Sequence, residues 1–332
     1  MRHLTKREKE ILACLKEDPL ISQDELAAKM KISRSAAAVH ISNLMRKGYI
    51  LGRGYILEER SGVLIVGKSW LEIAAYVDSR EISISCGGLG CEMAAELAGY
   101  NIAPILITVL GQDESGDQIY NYLLKKGVEL RHVIRSGDCS TAKRLHVFDG
   151  ENVLYHLEDM RITQSLGEKE LAACGEIIKT AKVLLIDASL SSAEIEYLLN
   201  LAKSYDILTT FVGGSLDWCL RQDFCSYPQV FLVCWNHELP GFSGEDPESC
   251  FPVCREIVGR GLAALIVIFD EQGVVLATPQ EAVYLPFSPL QGMSSALSIS
   301  AGIAVGLAAG HGFRFAVRRA LGRTQATDAC EK

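Results

Sequence analysis

The sequence predicts an α/β protein, a mostly parallel sheet covered by helices on both faces, preceded by a small helical head. Three observations predict it. Short apolar runs that read as buried strands recur along residues 61–332, and amphipathic helical segments separate many of them. The first 60 residues differ from the rest in both charge and periodicity. At 332 residues the chain is also long for a single core, which gives two expected domains, 1–60 and 61–332.

The charge split is sharp. Residues 1–60 hold 12 Lys+Arg against 8 Asp+Glu, whereas residues 61–332 hold 21 against 33. A basic head on an acidic body places any polyanionic partner at the head. The composition, 48% hydrophobic and 22% charged, is that of a soluble globular protein. The charged opening MRHLTKREKE is no signal peptide, and the most apolar run, Ile299 to Ala309, is far shorter than the roughly 20 residues a membrane helix needs. A cytoplasmic protein with no membrane partner is expected. The eleven cysteines are odd in number and read as reduced. Cys250 and Cys254 lack a second Cys/His pair to complete a zinc site, so no metal site is assigned.

In the head, Thr5 caps a first helix that carries Ile11, Leu12 and Leu15 on one face. Asp18-Pro19 stops it, because proline disfavours helix in the residue before it. Ser22 and Glu25 form a capping-box pattern for a second helix, with Leu26 and Met30 inward. Ser33 caps a third, running to about Lys47, whose buried stripe is Ala37, Ile41 and Leu44. Arg34, Ser35, Ala38, Val39 and Ser42 are left toward the other side. Gly48 ends the helix, and YILGRGYIL reads as two short strands around a Gly-Arg-Gly turn. The stretch ISQDELAAKMKISRSAAAVHISNLMRKGYI resembles the winged helix-turn-helix of bacterial regulators. That resemblance implies DNA as a partner: the third helix enters the major groove with Arg34, Ser35, Val39 and Ser42, and Arg34 reads guanine. Arg46 and Lys47 would hold phosphates, and the wing would carry Arg53 to the backbone. On the residues alone, a helical dimerisation module with solvated charges stays open. Small residues on the outer face and the local positive charge speak for DNA.

The body opens with GVLIVGKSW, and similar runs follow in APILITVLG, VLLIDASL, ILTTFVGG, VFLVCW and LAALIVIFD. Helical segments between them include 116–126 and 192–204. AKRLHVFDGENVLYHLED alternates about Asp149-Gly150 and predicts a hairpin over 141–158, a natural lid for a ligand crevice.

These parts, in this order, resemble the PfkB, or ribokinase-like, family of sugar and nucleoside kinases. ISCGGLGCEMAAELAGYNIAPILITVLGQDESGD is similar to its glycine-pair motif with the following helix and strand. The 141–158 hairpin resembles its lid, FLVCWNHELPGFSG its magnesium-associated motif, and LIVIFDEQGVVLA its nucleotide-side strand and turn. PLQGMSSALSISAGIAVGLAAGHG stands where its closing G-A-G-D motif lies. The resemblance implies a three-layer α/β/α body with a small β lid and a sugar or nucleoside ligand. ATP and magnesium enter as cofactors only if the chain is an active kinase.

The departures fall on the chemistry. Gly292 aligns with the first motif glycine, Met293 with Ala, Ser294 with the second Gly and Ser295 with the aspartate that takes the substrate proton. A serine hydroxyl is no base near neutrality, and the serines read as helix caps. Glu72 replaces a sugar-binding Asp, and Glu92 replaces an Asn near the retained Gly87 and Gly88. On the nucleotide side Asn236 survives, Glu238 comes one residue early with Leu239 in the usual Glu place, Asp270 replaces a glycine, and Gly273 is retained. The set reads as a pseudokinase: a transcription regulator whose body senses a small polar metabolite near Glu72 and Glu92. Those two carboxylates alternatively read as solvated groups at a relict cleft. Two other readings stay open: an active carbohydrate or nucleoside kinase that also binds DNA, with Asp270, Asp113 or Asp117 supplying charge, and a dimerisation body without a ligand. Because one third helix reads only a short half-site, a homodimer is expected, with the body or lid hairpin at its interface.

Overall fold

The computed structural model describes residues 5–17, 21, 23–46, 62–221, 227–269, 272–286 and 296–323. The chain forms two compact units, Met1–Arg60 and Ser61–Lys332. The first contains α1 (Lys6–Glu17), α2 (Gln23–Met30) and α3 (Arg34–Arg46). Its core is Ile11, Leu15, Leu26, Ala37, Ile41 and Leu44 with their neighbours, which includes the stripe expected from the spacing. Thr5 and Glu8 exchange capping bonds at the start of α1, and the Ser33 hydroxyl accepts from the Ala36 N–H at 3.1 Å at the start of α3. Lys31 adopts φ 51°, and the Ile32 N–H reaches back to the Ala27 carbonyl at 3.0 Å, closing α2 so that α3 can turn away. Ser22 and the wing over YILGRGYIL lie outside the described residues.

The second unit runs, in chain order, β1 (Val63–Val66), β2 (Trp70–Tyr76), β3 (Glu81–Gly87), α4 (Leu89–Ala98), β4 (Ile105–Ile107), β5 (Val109–Gly111), α5 (Glu114–Lys126), β6 (Ile134–Ser136), β7 (Lys143–Asp149) and β8 (Asn152–Asp159). It continues through α6 (Glu168–Ala173), α7 (Gly175–Lys179), β9 (Val183–Asp187), α8 (Ser192–Tyr205), β10 (Leu208–Val212), α9 (Leu216–Leu220) and β11 (Phe231–Trp235). It ends with α10 (Phe251–Gly259), β12 (Ala264–Phe269), β13 (Gly273–Ala277), β14 (Ala282–Pro286), α11 (Ala296–Ala308) and α12 (Phe313–Arg323). The central strands take the orders β10-β9-β1-β4 and β11-β12-β13-β14, and a parallel bridge between Thr209 and Val230 joins the two. All these pairings are parallel except β12–β13 and β13–β14.

Helices cover both faces, which is why β1 reads VLIV without alternation. Leu64 and Val66 enter one core with Leu184, Ile186 and Leu198. Val63 and Ile65 enter the other with Met93, Leu106 and Ile303. α11 is built almost wholly of small and aliphatic residues because α12 lies close against it. A Cβ added at Gly302 or Gly306 would come within 2.7 Å of Ala320 or Ala316.

The hairpin expected over 141–158 is present as β7–β8, in the sheet that the sequence reads as a lid, and that sheet is larger than the sequence indicated. β2 and β3 fold into a second hairpin, and the four strands form one sheet in the order β3-β2-β7-β8. The alternation of β2 and β3 was hidden by the glycine-pair motif that follows them. Registers set two apolar rows across one face: Ile84, Ile73, Leu145, Leu157, then Ile82, Ala75, Val147, Tyr155. Ile84 is 55% exposed, Leu157 62%, Ile82 68% and Tyr155 66%.

Candidate functional site

In the first unit, Arg34, Ser35, Val39 and Ser42 all lie exposed on α3, opposite its buried stripe. Arg34 is held only loosely, its Nε 3.4 Å from Asp24 Oδ1 with both side chains largely in solvent. Ser35, Val39 and Ser42 follow at i, i+4 and i+7, so they line one strip of helix with little bulk. Arg46 closes α3, and its side chain, Lys47 and Arg53 fall outside the described residues.

In the second unit, a cavity of about 470 Å³ opens where the C-terminal ends of β10 and β11 meet the starts of α4 and α11. This is where open α/β sheets bind ligands. Leu89, Phe211, Gly213, Trp235 and Ala296 contribute to its wall. Gly88, with φ 97°, begins α4, and a Cβ there would strike the Lys68 carbonyl at 2.5 Å. The neighbouring turn is tied down by Asp187, a buried carboxylate at the end of β9. It accepts from the Lys68 N–H at 2.9 Å and the Ser189 N–H at 2.8 Å, while Lys68 Nζ donates to the Ser189 carbonyl. Neither Lys68 nor Asp187 stood out in the sequence.

The lid face opposite the apolar rows carries a ring of neighbouring polar and aromatic side chains, in which Glu72 Oε1 and His146 Nδ1 are buried without a hydrogen-bond partner among the described residues. Trp70, at the foot of this face, also packs on the body core. Trp70 Nε1 donates to Glu72 Oε2 at 2.8 Å, and Glu72 Oε1 lies 3.2 Å from His146 Nε2. The rings of His146 and His156 are 4.6 Å apart, His156 Nε2 is 3.5 Å from Glu158 Oε2, and Arg144 Nη2 is 3.3 Å from the same oxygen. Arg144 closes the ring by lying over the Trp70 indole at 4.2 Å. Glu72 is thus a carboxylate held by Trp70 on the face opposite the apolar rows, and Gly87 ends β3 opposite Trp70. Glu92 is exposed in the first turn of α4, where its charge raises the pKa of Cys91 and Tyr122, after burial as the larger cause in each. Arg144, His146 and His156 were missed because a lone lid hairpin gives no hint of which side faces a crevice.

The foot of the lid is fixed by Asp113, the N-cap of α5. Its carboxylate accepts from the Gly116 N–H at 2.8 Å, the Thr141 N–H at 2.8 Å and the Thr141 hydroxyl at 2.5 Å. Burial pushes this pKa up, but the Thr141 and Gly116 bonds outweigh it and hold the group below 3.8. Asp117 meets Arg135 at 2.5 Å. Both aspartates therefore have structural partners.

At the end of β11, Glu238 Oε2 accepts from the Trp235 N–H at 2.8 Å and Oε1 from the Leu216 N–H at 3.3 Å. It joins the end of β11 to the start of α9. Leu239, in the usual acidic place, is 3% exposed and sits in the core. Asn236 is half-buried at the start of the same short turn, and Gly273 opens β13 opposite Pro286. Asp270, Gly292, Met293, Ser294 and Ser295 lie outside the described residues. Among the described residues no three His, Cys, Asp or Glu side chains are placed to hold a metal. Glu238 lines the crevice with each oxygen accepting one main-chain N–H, and Leu239 is buried, so the motif offers one carboxylate already engaged on one side. Nine cysteines are described, all as free thiols, with Cys250 Sγ and Cys254 Sγ 3.5 Å apart in the core. Burial, with the Glu238 charge as a second cause, pushes the Cys219 thiol up to about 12.

A crevice at the carboxyl ends of a largely parallel sheet, in a body that also carries a separate four-stranded β sheet, is the architecture of a ribokinase-like domain, here with a helical head. Residues 4–50 match the winged helix-turn-helix DNA-binding model, and residues 63–325 match the pfkB family of carbohydrate kinases. The chain belongs to the pfkB carbohydrate kinase family. It is 27% identical over 339 aligned residues to the Escherichia coli K12 protein named uncharacterized sugar kinase YeiI, covering 96% of this chain and 92% of that one. Pseudouridine kinase of the same organism is 25% identical over 176 residues, half of this chain and 55% of its own length. Solved structures share the fold: a carbohydrate kinase from Agrobacterium tumefaciens (TM-score 0.67, 18% identity, 81% and 91% of the two chains) and Arabidopsis thaliana ribokinase complexed with ribose and ATP (0.65, 16%, 80% and 91%). No helix among the described residues is long and apolar enough to cross a membrane.

Proposed function

We propose that this protein is a DNA-binding transcription regulator whose kinase-like body binds a small polar metabolite, of the sugar or nucleoside class, without phosphorylating it. The observation that carries this reading is the state of Glu238 and Leu239. The carboxylate nearest the magnesium-associated position is bonded to two main-chain N–H groups, and the adjoining position holds a core leucine. Ser295 in the base position supports the same reading, because loss of a general base costs about 10²–10⁴ in rate. Phosphoryl transfer depends on positioning and electrostatics, and both are weakened together. The crevice itself is kept by Gly88, Asp187 and the lid, and the Glu72–His146 side of the ring offers hydrogen-bonding groups to a hydroxylated ligand.

A homodimer belongs to this reading. The two apolar rows on the outer lid face are a contiguous surface of the kind that marks a protein interface. A second copy, packing the same face on itself about a two-fold axis, covers both at once and sets two DNA-binding heads for a palindromic site.

A second reading, an ATP-dependent sugar or nucleoside kinase that also binds DNA, is favoured by the names of the relatives. A coupled assay with ATP, magnesium and a panel of pentoses and nucleosides separates the two, run beside Ser295→Asp. The regulator reading expects no turnover from the unaltered protein. Turnover at ordinary kinase rates of about 1–100 s⁻¹ would overturn it.

A further inference from the structure

The body as a whole repels polyanions, with 21 basic against 33 acidic residues over 61–332, yet its last described helix is cationic. α12 reads FRFAVRRALGR, four arginines and no acid. Ala316, Val317, Ala320 and Leu321 face inward, and the small-residue contact with α11 fixes the helix in place. Arg314, Phe315, Arg318 and Arg319 are left exposed. Arg314 shares Glu281 at 3.3 Å, whereas Arg318 and Arg319 make no ion pair among the described residues. Phe315 is 55% exposed, and His311 lies against it with ring centroids 4.4 Å apart. Arg314 and Arg318 are one helical turn apart, about 6 Å along the axis.

We infer that this face of α12 binds the phosphate backbone of duplex DNA as a second, sequence-independent contact. The inference rests on the DNA-binding reading of the head. Arginine is the side chain that grips phosphate through two donors at once, and contacts of this kind position a protein without reading bases. Charge complementarity names the occupant. In a chain that carries a winged helix-turn-helix the polyanion at hand is DNA, and a cationic helix on an otherwise acidic body is a surface that suits it. His311 and Phe315 add flat surface beside the arginines for the sugar edge of the backbone.

The test uses the full-length protein and a fluorescein-labelled duplex of random sequence, with anisotropy read across a salt series. Each phosphate neutralised adds about 0.9 to the slope of log K against log salt. Arg318→Ala with Arg319→Ala should lower that slope by up to about 1.8, while the paired lysine substitutions should keep most of it. Circular-dichroism melting of each variant confirms an intact fold, as expected for exposed positions. Binding by the unaltered protein with the same slope in the double-alanine variant overturns the α12 contact and leaves the head's role standing. No binding by the unaltered protein overturns both.

Discussion

Glu72 and His146 meet across the parallel pairing of β2 and β7, with carboxylate Oε1 3.2 Å from imidazole Nε2. The contact joins the two hairpins of the lid on the face opposite the apolar rows. Trp70 holds the other oxygen, Oε2, by a hydrogen bond, whereas Oε1 accepts none among the described residues.

Replacing Glu72 by Ala should therefore act on ligand binding more than on folding. Losing a hydrogen bond at a partly exposed site costs about 0.5–1.5 kcal/mol. Stabilisation of the protein by the pentose or nucleoside that binds it should vanish, as read by thermal shift. Retention of the full shift in the variant would remove Glu72 from the site.

Arg34 stands free enough to reach a base edge, since its partner Asp24 is equally exposed. Arg34→Ala should lose about 1–3 kcal/mol of preference for a selected operator. Competition gel shifts against a scrambled duplex measure that preference directly. An unchanged ratio would move recognition to other residues of α3.

The outer lid rows predict the oligomer. Placing lysine at both Ile84 and Leu157 should leave the sheet register intact and turn the protein monomeric in light scattering at micromolar concentration. A dimer that survives both changes would place the interface elsewhere on the body.

Asp113 predicts a response to acid. Its folded pKa lies below 3.8, so the stability it confers is complete above that value and is lost as pH falls through the lowered one. Asp113→Ala removes an N-cap as well as the Thr141 anchor and should cost about 0.5–2 kcal/mol near neutrality. Urea unfolding followed below pH 3.8 should show a flatter decline for the variant than for the parent. Equal slopes would mean that another carboxylate governs this range.

The strands of the central sheet were legible because burial on both faces leaves uninterrupted apolar runs such as VLIV and ALIVIF. The stripe Ala37, Ile41 and Leu44 was legible for a similar reason, since helical period and burial coincide there. The lid was half legible. β7–β8 announces itself through Asp149-Gly150, but β2–β3 turns through Val77 to Arg80, where no glycine marks the bend and Arg80 itself takes φ 56°. Glu238 shows the limit of alignment: its place in the motif suggested a role toward nucleotide, while its oxygens go to main chain from two different elements, one of them 22 residues away. Long-range partners of that kind leave no periodic trace. The closeness of α11 to α12, by contrast, was written in Gly302 and Gly306.

The lid sets a charged ring, drawn from β2, β7 and β8, back to back with an apolar pair of rows that crosses all four strands. Because side chains alternate, a slip of one residue in β2 or β7 would exchange the two surfaces, moving Ile73 or Leu145 to the ring face and Glu72 or His146 to the apolar one. Insertions and deletions inside these strands should therefore be nearly forbidden to drifting descendants of this gene. The hairpin tip at Gly150, beyond the irregularity between Val147 and Phe148, can lengthen freely without disturbing either side.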